Sequence, residues 1–336
     1  MSDPEGRAVV GLDVGATSIN ACVVDANGHF LVDRLVETPS RVLEGPAAAV
    51  EALAAAMAGI LALTGTPLVA VTAVGLDTPG PASADGVISS KGSTNFSAPE
   101  WRGFDFRGAV EARLGVPVVY HNDGNAAALY AHQAHFGPVA IDRSSVSAIV
   151  GTGLGGGVVE SGRVVSGAAG MAGEFGHIQI PMAGLLADDQ PVPICNCGNA
   201  GDVESIASLT GITKNLLPYW LSRFPDHALH RADSIGAAAK LVRSLGEQGD
   251  PLARHIFAQQ AMALGRLFTI AANFTDPHAY FVGGGVVETG TEFRDWFLGT
   301  VREHTGLRTE QAAVAEFALV PHLDMAGARG AALAAL

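Results

Sequence analysis

Residues 146–165, VSAIVGTGLGGGVVESGRVV, decide how the chain is read. An apolar strand at 146–150 runs into a glycine-rich turn at 151–157. A second strand (158–160), the tight turn Ser161-Gly162 and a third strand (163–165) follow. Gly151, Gly153 and Gly156 satisfy G-x-G-x-x-G. A dinucleotide fingerprint needs a helix after the glycines, so that pyrophosphate meets the helix N-terminus, and here a hairpin follows. Protein kinases also carry a glycine-rich hairpin, but V-A-I-K, H-R-D and D-F-G are missing. No lysine follows a G-x-x-x-x-G, which removes a Walker A loop. What remains is a glycine turn between two strands, a shape that offers successive N–H groups to an anion.

The chain opens on a similar device. VVGLDVG leads through Asp13-Val-Gly15-Ala-Thr17 into INACVVD, and Asn27-Gly28 then turns the chain into HFLVDRLVE as a further hairpin strand. An alanine-rich helix at about 45–63, a buried strand LVAVTAVGLD and the turn Thr78-Pro79-Gly80-Pro81 come next. A helix at 106–114 ends before Gly115. The strand VPVVYHND then leads into a helix at about 124–135. After the second glycine hairpin, a long helix (251–273), the strand AYFVGGGVV and a closing helix complete the pattern. Two α/β lobes with a cleft between them are expected. The smaller comprises 1–121 with the closing helix at about 322–336, and the larger 122–321.

Composition narrows the classes of function. Across 336 residues, 33 acids against 20 bases give a net charge of −13, and the only lysines are Lys91, Lys214 and Lys240. Nucleic-acid binders carry a basic footprint, so no nucleic-acid partner is expected. Three cysteines, Cys22, Cys195 and Cys197, make no disulfide framework. The N-terminus shows no basic segment followed by an apolar one. The uncharged stretch 52–76 imitates a membrane span, but Thr64-Gly65-Thr66-Pro67 breaks it into helix and strand. A soluble, cytoplasmic α/β protein without membrane contact is expected, with a homodimer the commonest assembly.

Three constellations can carry chemistry. Asp13, Gly15 and Thr17 on the first hairpin, and Thr152 with Gly153 on the second, can clamp a polyphosphate, with Asp13 holding a hydrated Mg2+. Asp123 lies where a strand gives way to a helix. It is either the helix N-cap or a base that takes a proton from a substrate hydroxyl. His177, Cys195, Cys197 and Asp202 are four candidate ligands for a tetrahedral zinc; the alternative is two free thiols in a loop with His177 hydrogen-bonded.

Together these residues resemble the ROK family of repressors and sugar kinases, over essentially the whole chain. The resemblance rests on Asp13-x-Gly15-x-Thr17, Asn95 to Trp101 and Asn122-Asp123. It continues through Gly153-x-Gly155, Gly167, Gly173-Glu174-x-Gly176-His177, Cys195-x-Cys197-Gly-x-x-Gly201-x-x-Glu204 and Gly283-Gly284-Gly285. It implies an actin-like, hexokinase-like (ribonuclease H-like) two-lobed fold and ATP-dependent phosphorylation of a sugar, as in bacterial glucokinases. By the same resemblance Asp123 is the base on the 6-hydroxyl. Gly80, Asn95, Asn122, Glu174, His177 and Glu204 hold the sugar, and His177 also binds structural zinc. Asp13, Gly15, Thr17, Thr152 and Gly153 then hold Mg-ATP phosphates, and Gly284 with Gly285 lies near the adenosine.

This chain departs from the family pattern at several positions. Ala16 replaces a second Gly, Ser18 a frequent Lys, Gly124 an Ala and Ala131 a frequent Glu, and Asp202 stands in place of the third zinc cysteine. The expected function is an ATP:hexose 6-phosphotransferase of glucokinase type whose lobes close over the sugar. Mannose, fructose, N-acetylglucosamine and N-acetylmannosamine are the alternative substrates, and polyphosphate is the alternative donor. A catalytically inactive sugar-binding protein is a further alternative. A regulator of the same family carries an N-terminal helix-turn-helix, and with only a dozen residues before Asp13 that reading is not the expected one.

Overall fold

The computed structural model describes residues 6–80, 82–89 and 96–336, and it divides into two compact units. The first comprises Met1–Arg143, Gly157–Gly173 and Val320–Leu336. Its sheet has the order β3-β2-β1-β4-β5, from β1 (Ala8–Val14), β2 (Ser18–Asp25), β3 (Glu37–Pro39), β4 (Val71–Thr78) and β5 (Val118–Asn122). β1, β4 and β5 run parallel, while β2 and β3 are antiparallel to their neighbours.

Side-chain alternation along β1 sorts its residues between two layers. Val10, Leu12 and Val14 join the core beneath α1 (Pro46–Thr64) and α2 (Phe106–Leu114), with Leu53, Ile60 and Phe106. Val9 joins Cys22, Val24, Ala328 and Ala332 under α10 (Leu323–Ala334). α1 is long and apolar enough to cross a membrane by composition, yet it buries Leu53, Met57 and Ile60 in this core. α10 lies with its backbone directly on the sheet. A Cβ added at Gly11 would overlap the Ala328 carbonyl, and one at Gly75 the Ala331 carbonyl. Gly330 meets the Ala126 carbonyl of α3 (Asp123–Phe136) in the same way. This packing draws α3 into the first unit, so the division differs from the boundary expected at 121/122.

The second unit comprises Ser144–Gly156 and Glu174–Leu319. The second sheet has the order β10-β9-β6-β7-β8, from β6 (Ser144–Val150), β7 (Leu154–Glu160), β8 (Arg163–Val164), β9 (Ala279–Gly283) and β10 (Glu316–Leu319). β6, β9 and β10 are parallel and β8 is antiparallel to β7. The unit's helices begin with α4 (Leu209–Gly211), a π-helical turn (Ile212–Leu216) and α5 (Leu217–Arg223). α6 (Ile235–Glu247), α7 (Pro251–Thr275), α8 (Thr291–Glu303) and α9 (Thr309–Ala312) follow. α7 starts on Asp250, whose side chain caps Ala253 N at 3.0 Å, with Pro251 at the first helical position. Its Phe268 packs against Tyr280 and Phe317 on β9 and β10.

Two stretches depart from the sequence reading. The strand expected after Asn27-Gly28 survives as a bridge at Phe30 and the short β3, because Arg329 takes the Val32 carbonyl at 3.3 Å. The turn expected over 151–157 is shorter, since β7 already begins at Leu154. Gly156 and Gly157 serve close packing instead: a Cβ there would press on Ser147 O and the Phe175 ring, or on Asn125 and Ala128.

Gly75→Ala is therefore expected to cost about 3 kcal/mol or more, because neither β4 nor α10 can give way. Gly59→Ala, on the exposed face of α1 with nothing near its Cβ, should stabilise by about 1 kcal/mol. Urea unfolding of both variants checks the contrast, and equal effects would contradict it.

Candidate active site

In the first unit the turn between β1 and β2 is closed by Gly15 N donating to Ser18 O at 2.8 Å. Thr17 is exposed on it, and Ser40 N donates to the Thr17 carbonyl at 3.0 Å. Asp13 is the penultimate residue of β1, on the α10 side, and Asn20 Nδ2 donates to its Oδ2 at 3.2 Å. Burial raises the Asp13 carboxyl above its ordinary value, while hydrogen bonds from Asp77 and Asn20 pull it back.

The fully buried Asp77 is Asp13's register partner on β4, and the sequence reading passed over it. Burial raises its carboxyl well above the usual range, and the charges of Asp13 and Asp123 add to the shift. The signal was present: Asp77 is an acid that ends a long uncharged stretch. Its pairing with Asp13, however, depends on strand register, which sequence does not display. His121 follows Asp77 in the same row across the sheet, and burial lowers its pKa.

At the end of β5 the helix cap is Asn122, whose side chain accepts from Gly124 N at 2.9 Å. Asp123, one of the two roles left open for it being the cap, is instead the first helical residue, with Oδ1 accepting from Gly124 N at 2.7 Å. Gly80 lies half-buried in the bend after β4, and Asn95 lies outside the described residues.

In the second unit the turn between β6 and β7 is closed by Gly151 N donating to Gly153 O at 2.9 Å. Thr210 holds the Thr152 carbonyl through its N (3.1 Å) and Oγ1 (2.8 Å). Glu204 sits beneath this turn. Its Oε2 accepts from Leu154 N at 2.9 Å, and its Oε1 accepts from Cys195 Sγ at 3.4 Å. Glu174 precedes a single helical turn, Phe175–His177; partial burial raises its carboxyl, His177 opposes that and Glu204 adds to it.

His177, Cys195, Cys197 and Asp202 converge, with one ligand atom from each lying within 4.8 Å of all the others. Asp202 Oδ2 stands 3.6 Å from His177 Nδ1 and 3.5 Å from Cys197 Sγ. Asp202 is fully buried, and its Oδ1 accepts from Ser205 N at 2.9 Å, so the carboxylate is fixed before any ion arrives. Burial pushes the Cys195 thiol up, the expected state of a buried thiol without a metal. Two thiols, an imidazole and a carboxylate fit a tetrahedral metal site. Gly284 follows β9 at φ 95°, where a Cβ would overlap Val150, and Gly285 O accepts from Arg243 Nη1 at 2.8 Å.

Known proteins are similar to this chain in sequence and fold. The family model described as ROK matches residues 9–336. The glucokinase of Streptomyces coelicolor is 32% identical over 316 residues, covering 86% of this chain and 88% of that protein. The N-acetylmannosamine kinase of Shigella boydii is 30% identical, covering 96% and 97%. Among solved structures, the ROK hexokinase of Thermus thermophilus superposes with a TM-score of 0.75 at 31% identity, over 98% of this chain and 97% of that one. A ROK glucokinase of Streptomyces griseus, in complex with glucose and AMPPNP, gives 0.68 at 31%, over 98% and 99%. The fold is thus the actin-like, hexokinase-like fold of sugar kinases, and the protein is a sugar phosphotransferase. The chain belongs to the ROK family.

The Asp13–Asp77 pair gives stability a pH dependence in metal-free buffer. Raised folded-state values mean that the folded chain binds protons more readily than the unfolded one. That contribution is complete below the ordinary carboxylate range and is lost as pH rises through the folded-state values. Asp77→Asn abolishes its part, so the variant should be more stable than the parent at neutral pH. Its advantage should shrink toward about pH 4. Chemical unfolding across that range checks this, and an advantage independent of pH would contradict it.

Proposed function

We propose that the protein transfers the γ-phosphoryl group of ATP to the 6-hydroxyl of a hexose, with glucose the first candidate. The observation that carries this reading is the placement of Asp123. It is the first residue of α3, Asn122 has taken the capping role, and its charge reaches the buried Asp77. Asp123 accepts the proton of the sugar hydroxyl as its oxygen bonds to the γ-phosphorus and the bond to the ADP oxygen breaks. Asn122, Glu174, His177 and Glu204, with the Gly80 backbone and Asn95, hold the remaining hydroxyls. Those N–H groups of the turns at Gly15–Thr17 and Thr152–Gly153 that are not used within the turns donate to phosphate oxygens as charge develops there. Asp13 would hold Mg2+, which when bound neutralises phosphate charge. Gly284 and Gly285 lie near the adenosine in this reading.

His177, Cys195, Cys197 and Asp202 would hold zinc, which when bound would fix the orientation of the His177 ring. The protein is proposed to act in the cytoplasm as a homodimer, without nucleic-acid or membrane partners. A second reading, phosphorylation of an N-acetylhexosamine, is supported by the likeness to the N-acetylmannosamine kinase.

An ADP-release assay with Mg-ATP or polyphosphate against glucose, mannose, fructose and the two N-acetylhexosamines tests the reading. Turnover on one sugar should fall about 10²–10⁴-fold in Asp123→Ala while sugar binding persists. Near-normal kcat in that variant would remove the base assignment, and silence on every sugar would favour the inactive sugar-binding alternative.

The metal loop gives a separate expectation. A harder carboxylate binds zinc less tightly than a thiolate, so Asp202→Cys should slow zinc loss to a chelator. The same change removes the acceptor for Ser205 N and should cost about 1 kcal/mol of metal-free stability. Zinc release followed with a chelating dye, beside metal-free melting, separates the two effects; faster release from Asp202→Cys would contradict the ligand assignment.

A further inference from the structure

Three neighbouring strands of the first unit bring oxygen atoms to one level on one face of the sheet. Asn20 on β2 pairs in register with Asp13 on β1, and Asp13 pairs with Asp77 on β4. Asn20 uses Nδ2 to donate to Asp13 Oδ2 at 3.2 Å, which leaves its own Oδ1 buried without a partner. Asp77 is fully buried, and apart from the neighbouring Asp13 carboxyl neither of its oxygens meets a hydrogen-bonding group. No cationic side chain is paired with Asp13 or Asp77 among the described residues. Arg329, the buried cation of α10, is engaged by Tyr130 Oη at 2.6 Å and by the Val32 carbonyl. On the helix side Gly327 keeps the space clear, since a Cβ there would come within 2.7 Å of Asp13 Oδ2.

A buried carboxylate without a hydrogen-bond donor is among the costliest groups a fold can retain, and it calls for a specific partner. A proton shared between the two carboxyls would satisfy one oxygen of each. It would leave the second oxygen of Asp77 and the Oδ1 of Asn20 as they are. A hard divalent cation draws on carboxylate and amide oxygens alike. We propose that Asp77 and Asn20 complete, with Asp13, a divalent-cation site that the folded chain fills before any nucleotide arrives. Its use rests on the Mg-ATP reading above, but its existence does not. Asp77 is then a metal ligand in its own right, and Asn20 serves twice, through Nδ2 to orient Asp13 and through Oδ1 toward the ion.

The test is Mn2+ titration of the chelator-stripped protein without nucleotide, with free Mn2+ followed by electron paramagnetic resonance. The parent protein is expected to bind one Mn2+ that Asp77→Asn binds about tenfold or more weakly. Mn2+ should raise the melting temperature of the parent and leave that of Asp77→Asn unmoved. Asn20→Ala should show an intermediate loss of affinity. Melting without metal confirms that each variant folds. Equal Mn2+ binding by parent and Asp77→Asn overturns the proposal. So does an absence of binding together with an infrared band of a protonated carboxyl that Asp77→Asn lacks, which assigns the pair to a shared proton. A Mn2+ site lost in Asp77→Asn, in a protein that phosphorylates no sugar, would sink the kinase reading and keep the site. A working kinase whose Asp77→Asn variant binds Mn2+ unchanged would do the reverse.

Discussion

The first unit depends on one close approach, the backbone of α10 lying against glycines rather than side chains. Gly11 and Gly75 put β1 and β4 under the carbonyls of Ala328 and Ala331, and Gly330 puts α10 against the Ala126 carbonyl of α3. Both carboxylates proposed to serve phosphoryl transfer take their positions from this contact. Asp13 lies against Gly327 of the same helix, and Asp123 opens the helix that Gly330 meets. Interiors packed to this density transmit displacement instead of absorbing it. A methyl group inserted at Gly75 therefore acts on the geometry of the site as well as on stability, although it touches neither acid.

In the second unit Glu204 has the corresponding role. One oxygen holds the Leu154 N–H at the mouth of the glycine turn, and the other accepts from Cys195 in the metal loop. A residue proposed to hold a sugar hydroxyl is thereby tied both to the glycine turn and to a candidate metal ligand. Gly153 is required by this arrangement, because a Cβ there would stand 2.6 Å from Glu204 Oε2. The glycines of the G-x-G-x-x-G run thus divide their work. Gly153 admits a carboxylate, while Gly156 admits the Ser147 carbonyl and the Phe175 ring.

Local features of this protein were legible from sequence and long-range ones were not. The convergence of the four candidate metal ligands could be read because Cys195, Cys197 and Asp202 share one short loop, and His177 belongs to a recognisable glycine-rich stretch. α2 could be read to its ends because Asp105 caps it and Gly115 closes it in the left-handed conformation. Asp77 and Asn20 could not be read, because their significance lies in strand register. The broken strand after Gly28 was equally out of reach, since it depends on Arg329 some three hundred positions later. Asp123 was ambiguous for a different reason: Asn122 and Asp123 are both good caps, and only the backbone angles assign the role to Asn122.

Buried acids without cations oppose folding, and this chain keeps such a pair on the two central strands of a sheet whose core is otherwise largely apolar. Arginine is available beside it, yet Arg329 is turned away, stacked against the rings of Phe30 and Tyr130. A guanidinium between Asp13 and Asp77 would stabilise the fold and would also fill the space with a permanent positive charge. Leaving the pair unneutralised keeps the position open to an exchangeable cation, which can meet phosphate in a way a side chain fixed to α10 cannot. Stability given up at one row of the sheet is thus exchanged for a centre whose charge depends on what binds there.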